Sequence, residues 1–238
     1  MTLRPPAPRR ALVAALLVLV LSGCASDPPT VSPSGVDLLE VPTPSPDPGD
    51  FVERVDNPWL PLLPGAEWVY ESTDRGTTTV TVTDRTRVVA GVTTTVVRDV
   101  VTDEDGQVVE RTDDWFAQDR DGNVWHFGAS GSWEAGVDGA EAGIAMLATP
   151  RRGDGYQRQL AEGEAEDRAT VLELDASLDL ETGSYAGLLV TEDTTPLEPG
   201  LVEQRYYASG TGLVLEEVVS GGSSDAELVG FTPGAAAG

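Results

Sequence analysis

The chain has 238 residues, of which 40 are acidic and 15 are arginine, none is lysine, and the formal charge at pH 7 is -25. A charge of that size repels phosphate backbones and anionic headgroups, so it disfavours nucleic acid and acidic lipid surfaces as partners. One cysteine, Cys24, and one histidine, His126, rule out a disulfide and any zinc site drawn from Cys and His.

Residues 1–23 read as a signal peptide. Arg4, Arg9 and Arg10 make a basic start, and Ala11 to Leu21 is an apolar run too short to span a bilayer as a helix. The tetrapeptide Leu21-Ser22-Gly23-Cys24 resembles the lipobox of bacterial lipoproteins. That resemblance implies cleavage before Cys24, lipid attachment (palmitate included) at Cys24, and a protein held at the extracytoplasmic face of the cell membrane. Loss of the three signal arginines, with no acid lost, takes the formal charge from -25 to -28.

Residues 24–50 carry prolines at 28, 29, 33, 42, 44, 46 and 48 among Ser, Thr, Asp and Gly. Such a segment buries too little apolar surface to offset its ordering entropy, and reads as a disordered tether. Extended at about 3.1 Å per residue, it would reach roughly 80 Å from the anchor.

Residues 51–232 are expected to form one β domain, followed by a flexible tail over 233–238. The apolar stretch Asn57-Pro58-Trp59-Leu60-Pro61-Leu62-Leu63-Pro64 contains three prolines, which forbid a helix or central strand and predict a plug across one end of the sheet. Glu67 to Glu71 alternates with Trp68 and Tyr70 on one face, Val80 and Val82 alternate with threonines, and Val92 to Val101 is largely β-branched. Asp74-Arg75-Gly76, Ala90-Gly91 and Asp105-Gly106 punctuate these runs as turns.

The stretch Asp114 to Gly139 holds Trp115, Trp125, Trp133 and His126, with Asp121-Gly122 between two aromatic runs. A DG turn flanked by β-formers predicts a hairpin, here the aromatic centre of the domain. Ala140 to Leu147 is the one segment with the composition for a turn or two of helix. Leu172, Leu174, Ala176, Leu178 and Leu180 then alternate with acids and serine as a strand wet on one side. Tyr185–Thr191, Val202–Ala208, Leu213–Val219 and Ala226–Phe231 follow as shorter strands. The expectation is an all-β fold: a single strongly curved antiparallel sheet of about ten strands, a half-barrel or sandwich, with minimal helix.

The segments NPWLPLLPGAEWVYE, DWFAQDRDGNVWHFG, SWEAGVDGAEAGIAMLATP and TPLEPGLVEQRYYASGTGLVLE resemble motifs of an uncharacterised family of bacterial secreted proteins and lipoproteins. The resemblance runs from Asn57 to about Phe231. Members often carry tyrosine where this chain has Phe116 and His126. It implies an intact exported domain and transfers no catalytic or binding residue.

An acyl-transfer triad needs a base within reach of an activated nucleophile, and His126 is the sole histidine. It sits mid-strand with no G-x-S-x-G to present a serine, which favours a packed or half-exposed histidine whose removal is nearly neutral. Asp119-x-Asp121-Gly122-Asn123 offers Asp119, Asp121 and Asn123 as oxygen ligands for calcium, but it lacks the downstream acid of a Ca²⁺ loop, and the same residues suit a turn. Glu162, Glu164, Glu166 and Asp167 read as a solvated loop. No cofactor is expected. The aromatic residues fill a core first, and a concave sheet face leaves room for a small apolar or carbohydrate ligand. The function that follows is a membrane-anchored, non-catalytic binding or accessory module, with an extracytoplasmic hydrolase acting on envelope or sugar substrates as the alternative. What separates the two is whether several acids or His126 converge in one cleft.

Overall fold

The computed structural model describes residues 47–73 and 76–235; the signal sequence, Cys24, most of the tether, Asp74-Arg75 and the last three residues lie outside the described residues. After a single 3₁₀ turn at Pro48–Asp50, the strands are β1 (Phe51–Val52), β2 (Glu67–Ser72), β3 (Gly76–Val89), β4 (Val92–Thr102), β5 (Val108–Asp119), β6 (Val124–Ala129) and β7 (Glu141–Met146). The rest are β8 (Gly155–Gln157), β9 (Gln159–Leu160), β10 (Arg168–Leu180), β11 (Gly183–Thr194), β12 (Val202–Ala208), β13 (Gly212–Ser220) and β14 (Asp225–Thr232). All belong to one antiparallel sheet in the order β8-β10-β11-β12-β13-β14-β2-β3-β4-β5-β6-β7-β9, with β1 added alongside β5. The expected class is the observed one, with fourteen strands in place of about ten. The additional four are β1, β7, β8 and β9, three of them only two or three residues long.

One of these is a correction. Ala140 to Leu147 contains no helix; Glu141–Met146 is a strand with every residue after Glu141 buried. Its ladder partners, Val124 and Trp125 on β6 and Gln159 and Leu160 on β9, cover it on both edges. A strand buried on both faces loses the period-two signal, and the small residues that suggested a helix instead permit close approach of the neighbouring chain. Gly143 shows this directly, because a Cβ there would lie 2.3 Å from the backbone oxygen of Arg158.

The sheet nearly closes on itself. β8 pairs with β10 at one edge, β9 pairs with β7 at the other, and only Arg158 separates β8 from β9 in the chain. A single stretch, Gly155–Leu160, is therefore the terminal strand of both edges. At the bend, the N–H groups of Arg158 and Gln159 both donate to the carbonyl of Asp167. Closure of this kind satisfies edge groups that an open sheet would leave exposed.

The proline-rich segment caps one end of the barrel as expected. Gly210 N–H donates to Pro58 O, Gly65 N–H donates to Val82 O, and the Asn57 side-chain amide donates to the carbonyls of Gly122 and Leu147. The plug thereby ties the β5–β6 turn, the chain after β7 and the β12–β13 turn together, and buries its own Leu62. At the other end lie the β4–β5 and β13–β14 turns and the exposed acids Glu110 and Asp225.

The alternation predicted for Leu172–Leu180 is real but carries less burial than its regularity suggests. Bulges in β10 between Val171 and Ala176 shift its register, the fully buried residues are Ala169 and Val171, and Leu174 is exposed. The outer part of the β10–β11 hairpin leans on the barrel through Ala176, Leu178, Leu180 and Tyr185, and Glu181 N–H donates to the Glu227 carboxylate on β14.

Candidate functional site

Inward-facing residues from ten strands, β2 to β7, β9 and β12 to β14, line two adjoining cavities of about 290 and 390 Å³ that share Tyr70, Val80, Asp99, Asp114, Leu213 and Glu216 as a common waist. The larger one reaches the end marked by Glu110 and Asp225; the smaller one ends under the plug at Leu60 and Leu62. Period two decides which residues face in. On β4, Val97, Asp99 and Val101 line the lumen, and on β5 Glu110, Thr112, Asp114 and Phe116 do.

Asp99 is the anomaly of this wall. Its Oδ1 is buried and has no hydrogen-bond partner. Burial, followed by the fields of Asp114, Glu110 and Asp113, pushes the Asp99 carboxyl up to about 7. The adjacent Arg98, of opposite parity, instead reaches Asp113 on the outer face at 2.8 Å. The Arg98 hydrogen bond, aided by Arg85 and opposed by burial, holds the Asp113 carboxyl below the usual range. Across the waist, Tyr70 donates its hydroxyl to Leu213 O at 3.0 Å, and burial raises that phenol well above its ordinary value.

His126 is buried, the packed of the two expected alternatives, and its contacts follow from the hairpin register. Phe116 and His126 are direct cross-strand partners, which stacks the rings with centroids 4.6 Å apart, while Trp133 meets the imidazole edge-on at 5.1 Å. A register shift between Asp114 and Phe116 accompanies a 3.0 Å contact between the Asp114 carboxylate and His126 Nε2. Nε2 also faces the carbonyl of Gly128 at 3.0 Å. The Gly128 carbonyl can only accept, so Nε2 carries the hydrogen. The flanking Trp125 points to the other face, under Phe51, and donates its indole N–H to Asp119.

A second charged group stands at the seam. Arg158 pairs with Asp193, and Arg205 reaches Asp193 at 3.0 Å, Glu203 at 3.1 Å and Glu216 at 2.7 Å. Thr191 donates its hydroxyl to Asp193 at 2.9 Å. Burial opposes the charge on both arginines, and the surrounding carboxylates outweigh it.

The residues singled out from sequence as calcium ligands lie at the β5–β6 turn, away from this lumen. Gly122 adopts φ +94°, as the turn requires. One Asp119 oxygen accepts from Asn123 N–H; the other accepts from the Asn123 side-chain amide and Trp125. Asn123 Oδ1 accepts from Ala148 N–H, and Asp121 is exposed. A cation there would compete with these donors. Among the described residues no group of three or more His, Cys, Asp and Glu side chains is arranged to hold a metal ion. Cys24 lies outside the described residues.

Asp99, Glu216, Arg205 and Arg158 were not singled out in the sequence. Asp99 was the most accessible of them, because an acid of the same parity as Val97 and Val101 interrupts a β-branched run. The other three depend on pairings across the barrel and leave no local pattern.

No family model matches the chain, and no curated protein is similar to it. Among solved structures, one from Bacteroides fragilis NCTC 9343, described as an exported protein with YmcC-like fold, has a TM-score of 0.46 and 11% identity over 73% of this chain and 98% of its own. Another, described as a lipoprotein from Parabacteroides distasonis ATCC 8503, has a TM-score of 0.46 and 12% identity over 74% of this chain and 99% of its own. Similarity at that level assigns this chain neither ligand nor activity.

Proposed function

We propose that the protein is a lipid-anchored extracytoplasmic binding module whose ligand occupies the barrel lumen. The observation that carries this reading is the lumen itself: a capped, partly aromatic cavity whose waist holds Asp99 with an unpartnered carboxyl oxygen. A buried polar atom left unpaired costs stability, and a ligand that supplies its partner recovers that cost. The signal sequence and Cys24 supply the location; an elongated tether would let the barrel work away from the bilayer surface.

The hydrolase alternative gains one specific observation, since Asp99, Asp114 and His126 do converge on the smaller cavity. A carboxyl that burial pushes up to about 7, beside a second acid, has the pattern of an acid and base pair. Against it, no serine, threonine or cysteine hydroxyl or thiol is bonded to the imidazole among the described residues, and the ring is packed between Phe116 and Trp133. Binding therefore remains the conclusion.

Two measurements test it. Cys24→Ala should move the protein out of the membrane fraction, and unchanged partitioning would overturn the anchor. A screen of sugars, lipids and amines should find a compound that raises the melting temperature without being consumed, because ligands of the native state alone shift the unfolding equilibrium. Turnover of that compound would transfer the case to the hydrolase.

A further inference from the structure

The lumen is unbalanced in charge, and the imbalance is local. Of its carboxylates, Glu203 and Glu216 are engaged by Arg205, and Asp193 behind them is shared by Arg158 and Arg205. Asp114 has only the single hydrogen of His126 Nε2, shared with a carbonyl. Asp99 Oδ1 has no partner, and Glu110 and Asp225 continue the acidic wall toward the open end. The arginines thus lie on one side of the waist, and the side formed by β4 and β5 presents carboxylates without a cation. Around the same space stand the rings of Trp68, Tyr70, Phe116 and Tyr207, and the aliphatic side chains of Val80, Val97 and Leu213. Carboxylates beside aromatic faces are the chemistry that holds an ammonium group attached to an apolar body: charge-assisted hydrogen bonds fix the head, and ring faces attract the cation while covering the rest.

Resting on the binding-module reading, we propose that the lumen ligand is an organic ammonium cation, its head between Asp99 and Asp114 and its apolar part directed toward Phe116 and Leu62 under the plug. A neutral apolar guest would leave Asp99 unsatisfied, and an anion would meet an acidic wall. A divalent metal would need oxygen ligands that converge, which the described residues do not provide.

The groups facing Asp99 sharpen this into a pH dependence. Glu110 and Asp114 on β5, Tyr70 on β2, His126 on β6, Glu203, Arg205 and Tyr207 on β12, Glu216 on β13, Asp225 on β14 and Arg158 at the seam share the lumen with it, with Asp113 behind the wall. Burial and then the nearby carboxylates favour the protonated acid; a bound cation favours the carboxylate. Affinity for an ammonium ligand should therefore rise as pH increases through about 7, and binding near neutrality should release protons.

The test is calorimetric titration of the full chain in detergent with phenethylamine, 2-phenylethanol, phenylacetate and calcium chloride. At pH 8.5 phenethylamine should bind at least tenfold more tightly than either carbon-matched analogue. Asp99→Asn, which keeps the shape of the side chain, should reduce that affinity at least tenfold, and the exposed Asp175→Asn on the β10–β11 hairpin should leave it unchanged. At pH 5.5 the wild-type preference for the amine should largely disappear. Equal affinity for the amine and the alcohol would retain a lumen ligand and overturn its charge. Binding of calcium in place of the amine, or an Asp99→Asn variant that is folded by circular dichroism and binds normally, would also overturn the proposal. Failure of all the organic probes would overturn both this inference and the lumen reading beneath it.

Discussion

The aromatic hairpin β5–β6 and the seam β8–β9 hold the same barrel together by opposite means. In the hairpin, neighbouring residues do the work: Phe116 pairs with His126 across one turn, Ala117 with Trp125, and Asp119 closes the loop by accepting from Asn123 and Trp125. At the seam, residues far apart in the chain meet: Arg158 of the bend reaches Asp193 on β11, which Arg205 on β12 also approaches. One region is stabilised by ring burial and one by a buried ion cluster at a point where two sheet edges must come together. The difference teaches that local packing assembles one side of this barrel, while its closure adds a buried ion cluster to the β8–β10 and β7–β9 ladders.

That contrast can be broken first where effects are largest. Trp125→Ala should lose about 3–5 kcal/mol in urea denaturation, the cost of truncating a buried aromatic. Asp193→Ala should lose a similar amount, about 3–5 kcal/mol, because it strands Arg158 and removes one partner of Arg205. The two should then part company: combining Asp193→Leu with Arg158→Met should restore much of the loss at the seam, since an apolar replacement of a buried pair is often tolerated. A cost under about 1 kcal/mol for Asp193→Ala would mean that the seam closes without its ion cluster.

Smaller effects sharpen the picture within the hairpin half. Sequence alone made His126→Ala nearly neutral; burial, the Phe116 stack and the contact with Asp114 now predict a loss of about 2–3 kcal/mol. Trp59 is only half-buried in the plug, and Trp59→Ala should cost about 1–2 kcal/mol, less than either hairpin residue. Urea titration of the three variants sets that order, and a Trp59→Ala loss above that of Trp125→Ala would make the plug the principal element. Smallest of all is the metal effect: calcium should leave the melting temperature of wild type and Asp121→Ala alike, and a calcium-dependent rise in the wild type would show a cation displacing the N–H donors at Asp119 and Asn123.

Most of the fold was legible because most of it is local. The Asp121-Gly122 turn, the alternation of Trp68 and Tyr70, and the three prolines of the plug each act within a few residues, and the structure uses each in the expected role. The segment Glu141–Met146 was not legible, because burial on both faces erases the strand period and the alanines that permit tight packing also favour helix. The seam was less legible still. Its strands are two or three residues long, and what fixes them is a partner on the far side of the chain. The same holds for the lumen: Asp99 could be placed on an inward face by parity, but its lack of a partner, and the arginines across from it, exist only once the barrel has closed.

The most direct test of a cation-binding lumen is the titration of Asp99 itself, followed through its side-chain carbon by ¹³C NMR and assigned by loss of the signal in Asp99→Asn. In the free protein the carboxyl should titrate at about 7, raised by burial and by Asp114, Glu110 and Asp113. Saturating phenethylamine should move that midpoint downward, because an ammonium head favours the ionised form. A free-protein midpoint in the ordinary carboxylate range, or one that phenethylamine leaves in place, would contradict the account.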